Sequence, residues 1–108
     1  MIKVCVLYPN AEGVTFDYPY YLDKHMALVR LRLGASLIAD SVEKGLGGGA
    51  PQSAAPFVTI CSLYFETLES FKQAMGAHGA ELNADVPHFT NATPLTQISE
   101  VLVERPAR

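Results

Sequence analysis

The run Phe57–Phe65 constrains this chain more tightly than any other stretch. Val58, Ile60, Ser62 and Tyr64 alternate with Phe57, Thr59, Cys61, Leu63 and Phe65, so a strand built from it is largely apolar on both faces. Such a strand is expected at the centre of a sheet, covered on both sides. The rest of the chain must supply its neighbours and its cover.

Three more strands and two helices can be read around it. Ile2–Tyr8 is rich in β-branched residues, with Ile2, Val4, Val6 and Tyr8 on one face. Pro9–Gly13 supplies turn chemistry. Thr15–Arg32 reads as a helix capped by Thr15 or Asp17, with Pro19 tolerated in the first turn and Gly34 as the stop. Ala35–Val42 reads as a second strand, and the glycine-rich Lys44–Pro56 as the loop after it. Thr67 caps a second helix with an inner stripe of Leu68, Phe71 and Met75. Gly76 and Gly79 are expected to weaken or kink that helix before a further helical piece at 80–84. Val86–Ala92 reads as irregular, and Pro94–Val103 as the last strand.

The resulting order, β-α-β-β-α-β within 108 residues, is the ferredoxin-like pattern. It predicts one α+β domain over residues 1–108, a four-stranded antiparallel sheet with both helices on one face. The other sheet face stays bare and apolar at several strands, so a homodimer pairing two sheets face to face is expected.

Composition excludes whole classes of function. A net charge of −3 offers no basic footprint for a phosphate backbone, and the RNP1 pattern of aromatic RNA readers is absent. The apolar start, Met1–Tyr8, is too short for a membrane span or a signal peptide, so a cytoplasmic protein is expected. Cys5 and Cys61 sit in alternating apolar stretches and read as buried free thiols.

The first helix carries the strongest chemical signal. At 100° per residue, Asp23, Lys24, Ala27 and Arg30 face solvent, while Tyr18, Tyr21, His25, Leu28, Val29 and Arg32 share the opposite side. An imidazole in the middle of a buried stripe needs partners, because an unpaired buried polar group costs about 1–3 kcal/mol. Two readings stand side by side. His25 is either a hydrogen-bonded core residue, or it faces a cavity in which neutral imidazole takes a proton and Tyr21 stabilises the oxyanion. Glu100 and Asp85 are the candidate carboxylate partners.

Other motifs carry less. Gly45–Ala50 matches the spacing of a dinucleotide-binding loop, but Pro51 and Pro56 follow where a helix is required. His25, His78 and His88 lack metal-ligand spacing, so no metal site and no cofactor are expected. His78 is expected to be exposed in a helix break. Ser36, Ser41 and Ser62 have no nucleophile-elbow context.

The stretch Phe16-Asp17-Tyr18-Pro19-Tyr20-Tyr21-Leu22-Asp23-Lys24-His25-Met26-Ala27-Leu28 resembles the signature of the EthD-like family, Phe-Asp-x-x-Tyr-Tyr-x-x-x-His-x-Pro-Leu. Ala84–Asn91, followed by Pro94 and Gln97–Val101, is similar to that family's carboxy-terminal block. Ala27 departs from the pattern, which has proline there. The resemblance implies a dimeric α+β barrel. The family takes its name from a protein of bacterial ethyl tert-butyl ether degradation, and related barrels include cofactor-free monooxygenases, lactone isomerases, polyketide cyclases and haem-using enzymes. Carried over, the matching positions are Tyr20, Tyr21 and His25, with Phe89 and Thr90 in the second block. With the helix stripe, His25 and Tyr21 are the expected catalytic residues, and Tyr18, Tyr20, Arg32, Phe89, Thr90 and Gln97 the expected binding residues.

The functions to be separated are therefore a cofactor-free isomerase, cyclase or oxygenase acting on a small hydrophobic or aromatic metabolite, for instance in xenobiotic catabolism, and a non-catalytic accessory protein that binds one. Haem ligation by His25 ranks behind both.

Overall fold

In a computed structural model that describes residues 1–106, Phe57–Phe65 becomes β3, the third strand of a four-stranded sheet. Its companions are β1 (Ile2–Pro9), β2 (Ala39–Lys44) and β4 (Leu95–Glu100). The spatial order is β2-β3-β1-β4, with every neighbouring pair antiparallel. Val4 sits between Leu63 and Ile98, and Val6 between Cys61 and Thr96, so these side chains share one face. The first helix, α1, joins Tyr18–Tyr20, a π-helical turn at Tyr21–His25, and Met26–Leu33. The second, α2, runs Leu68–Ala84. The α+β order expected from the sequence is the observed one.

One sheet face is covered and the other is not. Val4, Tyr8, Cys61, Leu63 and Phe65 form the core together with Tyr21, Met26, Val29, Leu33, Ala74, Leu82 and Phe89. Each large side chain fully removed from water contributes about 1.5–3 kcal/mol, which makes this layer the main stabilising element. The opposite face carries Cys5, Leu7, Ile60, Ser62, Tyr64, Leu95 and Gln97, and no helix or strand among the described residues is laid over it. β3 is thus central, as its pattern predicts, but has cover from within the chain on one side only.

Several boundaries differ from expectation. Helix α1 begins at Tyr18 because the Asp17 carboxylate accepts from Tyr20 N, whereas Thr15 is held by Asn91 and Thr90 instead. Gly34, at φ +56°, ends α1, and a 3₁₀ turn at Gly34–Ser36 delays β2 to Ala39. Helix α2 runs unbroken through Gly76 and Gly79. Two helical glycines cost about 1 kcal/mol each, but packing of Phe71, Ala74, Met75 and Leu82 against the core outweighs them. Gly79 is buried beneath Met75, His78 is half-buried in the intact helix, and Leu68 turns outward at 41% exposure. β4 is shorter than expected at both ends.

Candidate functional site

Helix α1 tightens the signal seen in its sequence by changing its own geometry. The Met26 amide donates to the Tyr21 carbonyl, five residues back, so the turn between them is wider than an α turn. Widening rotates Tyr21 toward the stripe of Met26, Val29 and Leu33, and turns of this kind recur at functional sites. Tyr21 ends 1% exposed and His25 6% exposed, their rings stacked 5.4 Å apart.

The segment after α2 closes the other side. The Asp17 amide donates to Phe89 O at 2.7 Å, and Phe16 bridges to Thr90, tying the start of α1 to residues 89–90. Phe89 is thereby packed against the His25 ring at 4.6 Å and the Tyr21 ring at 4.7 Å. Asp85, just past the end of α2, meets His25 from sixty residues away in sequence: Nδ1 to Oδ2 is 2.9 Å.

That contact fixes the imidazole. Burial alone would push the Asp85 carboxyl up, but hydrogen bonds from Tyr20 and His25, with the charges of His25 and His88, outweigh it and hold the group below the usual carboxylate range. An ionised carboxylate only accepts, so Nδ1 carries the proton and Nε2 of the neutral ring is a free acceptor. Nε2 has no hydrogen-bond partner, and among the described residues no enclosed polar side-chain atom lacks one. Nε2 therefore reaches open space.

The His25 ring lines a cavity of about 100 Å³ between α1, α2 and the sheet. Val4, Val6, Met26, Val29, Leu63 and Leu82 make most of its wall apolar. Its polar points are His25, Tyr8, Tyr21, Asn83, Thr96 and the Cys61 thiol, and among the described residues no Lys, Arg, Asp or Glu lines it. Burial pushes the Tyr8 and Tyr21 phenols far above their ordinary value, so both stay neutral donors. Burial likewise pushes the Cys61 thiol up to about 11, which disables it as a nucleophile at neutral pH. At Asn83, Val86 and Pro94 the cavity meets an outer depression of about 490 Å³, edged by Pro87, Thr90 and Thr93.

Residues 15–93 match the EthD domain. The chain belongs to the EthD family. An EthD-like protein of Ralstonia eutropha JMP134 is 46% identical over 99% of this chain and 96% of its own, with a TM-score of 0.92. An EthD family protein of Bacillus halodurans C-125 is 25% identical over 94% of this chain and 99% of its own, with a TM-score of 0.72. SnoaB, a cofactor-independent oxygenase of Streptomyces nogalater, shares the fold at 9% identity and a TM-score of 0.58, covering 98% of this chain and 96% of that one. No curated protein sequence matches the chain.

Seen on this EthD fold, the residues singled out by sequence separate into groups. His25 and Tyr21 line the cavity. Phe89 backs both rings, and Tyr20 lies outside the cavity with its hydroxyl on Asp85 at 2.7 Å. Thr90 edges the outer depression while its hydroxyl donates to Thr15 O. Tyr18 is pinned to the sheet, its hydroxyl donating to Val58 O and lying 2.7 Å from Thr59 Oγ1. Arg32 is exposed and pairs with Glu81 rather than with the cavity. Gln97 points to the bare sheet face, opposite Cys5, and hydrogen-bonds Ser99.

Of the two candidate carboxylates, Asp85 is the partner, and Glu100 ends β4 exposed beside Ile2. Tyr8 also lines the cavity, although the sequence pattern marks it only as a strand residue. Its signal was a phenol on the same face as Val4 and Val6, which requires a polar neighbour across the core.

Proposed function

We propose that this EthD-family chain binds a small, neutral, hydrophobic or aromatic metabolite between α1 and the sheet, and transforms it by acid–base chemistry without a cofactor. One observation carries the reading: His25 lines an apolar cavity while Asp85 holds its Nδ1, which leaves Nε2 available to a ligand. The absence of charged side chains from the cavity wall favours a neutral ligand, since a buried carboxylate or ammonium would be left unpaired.

In this reading, Nε2 takes a proton from an acidic C–H or O–H of the ligand. The electron pair moves onto a ligand oxygen, to which the hydroxyls of Tyr21 and Tyr8 donate. Asp85 balances the imidazolium that forms. Return of the proton at a second carbon gives isomerisation. Attack of the carbanion on a ligand carbonyl, with the proton returned to the alkoxide, gives ring closure. Addition of dioxygen as oxidant, with the proton returned to the peroxide, gives a hydroperoxide that loses water to leave a carbonyl. The fold is one that a cofactor-independent oxygenase also uses. A haem does not fit, because the cavity of about 100 Å³ is too small for the macrocycle.

The working unit in this proposal is a cytoplasmic homodimer. Leu7, Ile60, Leu95 and Tyr64 on the bare sheet face would be buried against a second copy, closing an α+β barrel. Native mass spectrometry of the purified protein, followed by denaturing extraction and identification of small molecules, tests both halves. A dimer carrying an aromatic or polyketide-like compound, whose conversion His25→Ala abolishes, is the expected result. Tight binding of the compound with no conversion moves the chain to the accessory reading, and a monomer overturns the paired sheets.

A further inference from the structure

The carboxylate that holds His25 is itself held from outside. Asp85 Oδ2 faces the His25 ring, whereas Oδ1 accepts from the Tyr20 hydroxyl at 2.7 Å. The Nδ1 atom of His88 lies 3.3 Å from that hydroxyl and 3.1 Å from Oδ1 itself. The side chain of His88 is 65% exposed and that of Asp85 only 14%. A continuous polar path thus runs from solvent at His88, through Tyr20 and Asp85, to the imidazole that lines the cavity.

We infer that Tyr20 and His88 are positioning residues that act through Asp85: protonation of the exposed His88 ring draws on the carboxylate that His25 needs, and so lowers the basicity of the cavity nitrogen. Two imidazolium charges on opposite oxygens of one carboxylate repel each other, and the negative charge that stabilises one is partly spent on the other. When His88 is protonated, its Nδ1–H donates toward Tyr20, whose own O–H is polarised toward Oδ1. The inner hydrogen bond to His25 weakens in consequence. The remaining titratable groups around His25 do not compete. Tyr8 on β1, Tyr21 on α1 and Cys61 on β3 are all pushed upward by burial and stay neutral through the same pH range. No lysine or arginine lines the cavity on that side.

The inference gives His25 a basicity that responds to solvent pH although the ring itself is buried. It rests on the proposed role of His25 only for its consequence in turnover, because the coupling between the rings can be read without any substrate. The experiment is a carbon-detected NMR titration of both imidazole rings in the wild-type chain, in His88→Gln, in His25→Asn and in Tyr20→Phe. In the wild type each ring is expected to report two steps, its own and its neighbour's. Replacing one histidine should raise the midpoint of whichever ring protonates second by about half a unit to one unit. Tyr20→Phe should weaken the cross-talk while both rings still titrate. If each ring titrates in a single step in the wild type, and His88→Gln moves the His25 curve by less than about 0.1 unit while His25→Asn leaves that of His88 in place, the coupling is overturned. A loss of turnover in His25→Ala with no coupling between the rings would overturn this inference and leave the proposed function standing. Coupling with no turnover from any ligand would do the reverse.

Discussion

His25 and Arg32 stand two turns apart on α1, and each reaches a carboxylate near the end of α2, yet the two links do opposite things. Arg32 meets Glu81 through two hydrogen bonds of 2.8 and 3.2 Å, with both side chains in water. Every polar atom of that pair that faces solvent can be hydrated, so the link staples two helices and little more. His25 meets Asp85 where the sheet, α1 and Phe89 exclude water, and only one of its two ring nitrogens is used. What distinguishes a site from a surface ion pair here is the atom left over. Nε2 has no hydrogen-bond partner among the described residues, and the ring that carries it lines an apolar cavity.

This contrast can be broken at either link. The largest expected effect is at the buried one: His25→Ala should lower turnover of the metabolite by about 10²–10⁴-fold, the usual contribution of a positioned acid–base group, measured as kcat/KM. Phe89→Ala removes the aromatic wall behind both rings and should cost about 3–5 kcal/mol in a urea unfolding curve. Tyr21→Phe deletes a single cavity hydroxyl, and should lower turnover by about 10²-fold while leaving the urea midpoint close to the wild type.

Acid pH sharpens the comparison further. Asp85 is held below the usual carboxylate range, so its contribution to stability is complete above the unfolded carboxyl value of about 4. It is lost as the pH falls through the lower folded value. Thermal melts in that window should steepen for the wild type and flatten for Asp85→Asn. The smallest effect belongs to the surface link: Arg32→Ala should leave both turnover and the melting temperature unchanged within error.

Much of this was legible in the sequence, for reasons that individual residues make clear. Phe57–Phe65 was assigned end to end because its β-branched and aromatic alternation admits no other structure. His25 and Tyr21 are legible as neighbours on one buried helix face because a helix stripe is read directly from spacing, and both line the cavity. Arg32 was placed on that stripe because a uniform 100° rotation puts it in line with His25. The buried line in fact runs through Met26, Val29 and Leu33, which leaves Arg32 at its edge beside α2. The π turn at Tyr21–His25 has no signature in α periodicity. The choice of Asp85 over Glu100 depends on the local 3₁₀ turn at Val86–His88 and on the Asp17–Phe89 hydrogen bond, which joins residues more than sixty positions apart. Gly76 and Gly79 misled for the reverse reason, since local propensity was overridden by the packing of α2 on the core.

The central claim concerns one proton on one ring, and nitrogen NMR of a ¹⁵N-labelled protein reads it directly. At a pH where the His25 ring is neutral, long-range proton–nitrogen correlations should show Nδ1 protonated and Nε2 bare. This arrangement should persist in His88→Gln and be lost in Asp85→Asn. A ring with the proton on Nε2, or one that interconverts freely between tautomers in the wild type, would contradict the account: the cavity would then face a donor rather than a base held in place by Asp85.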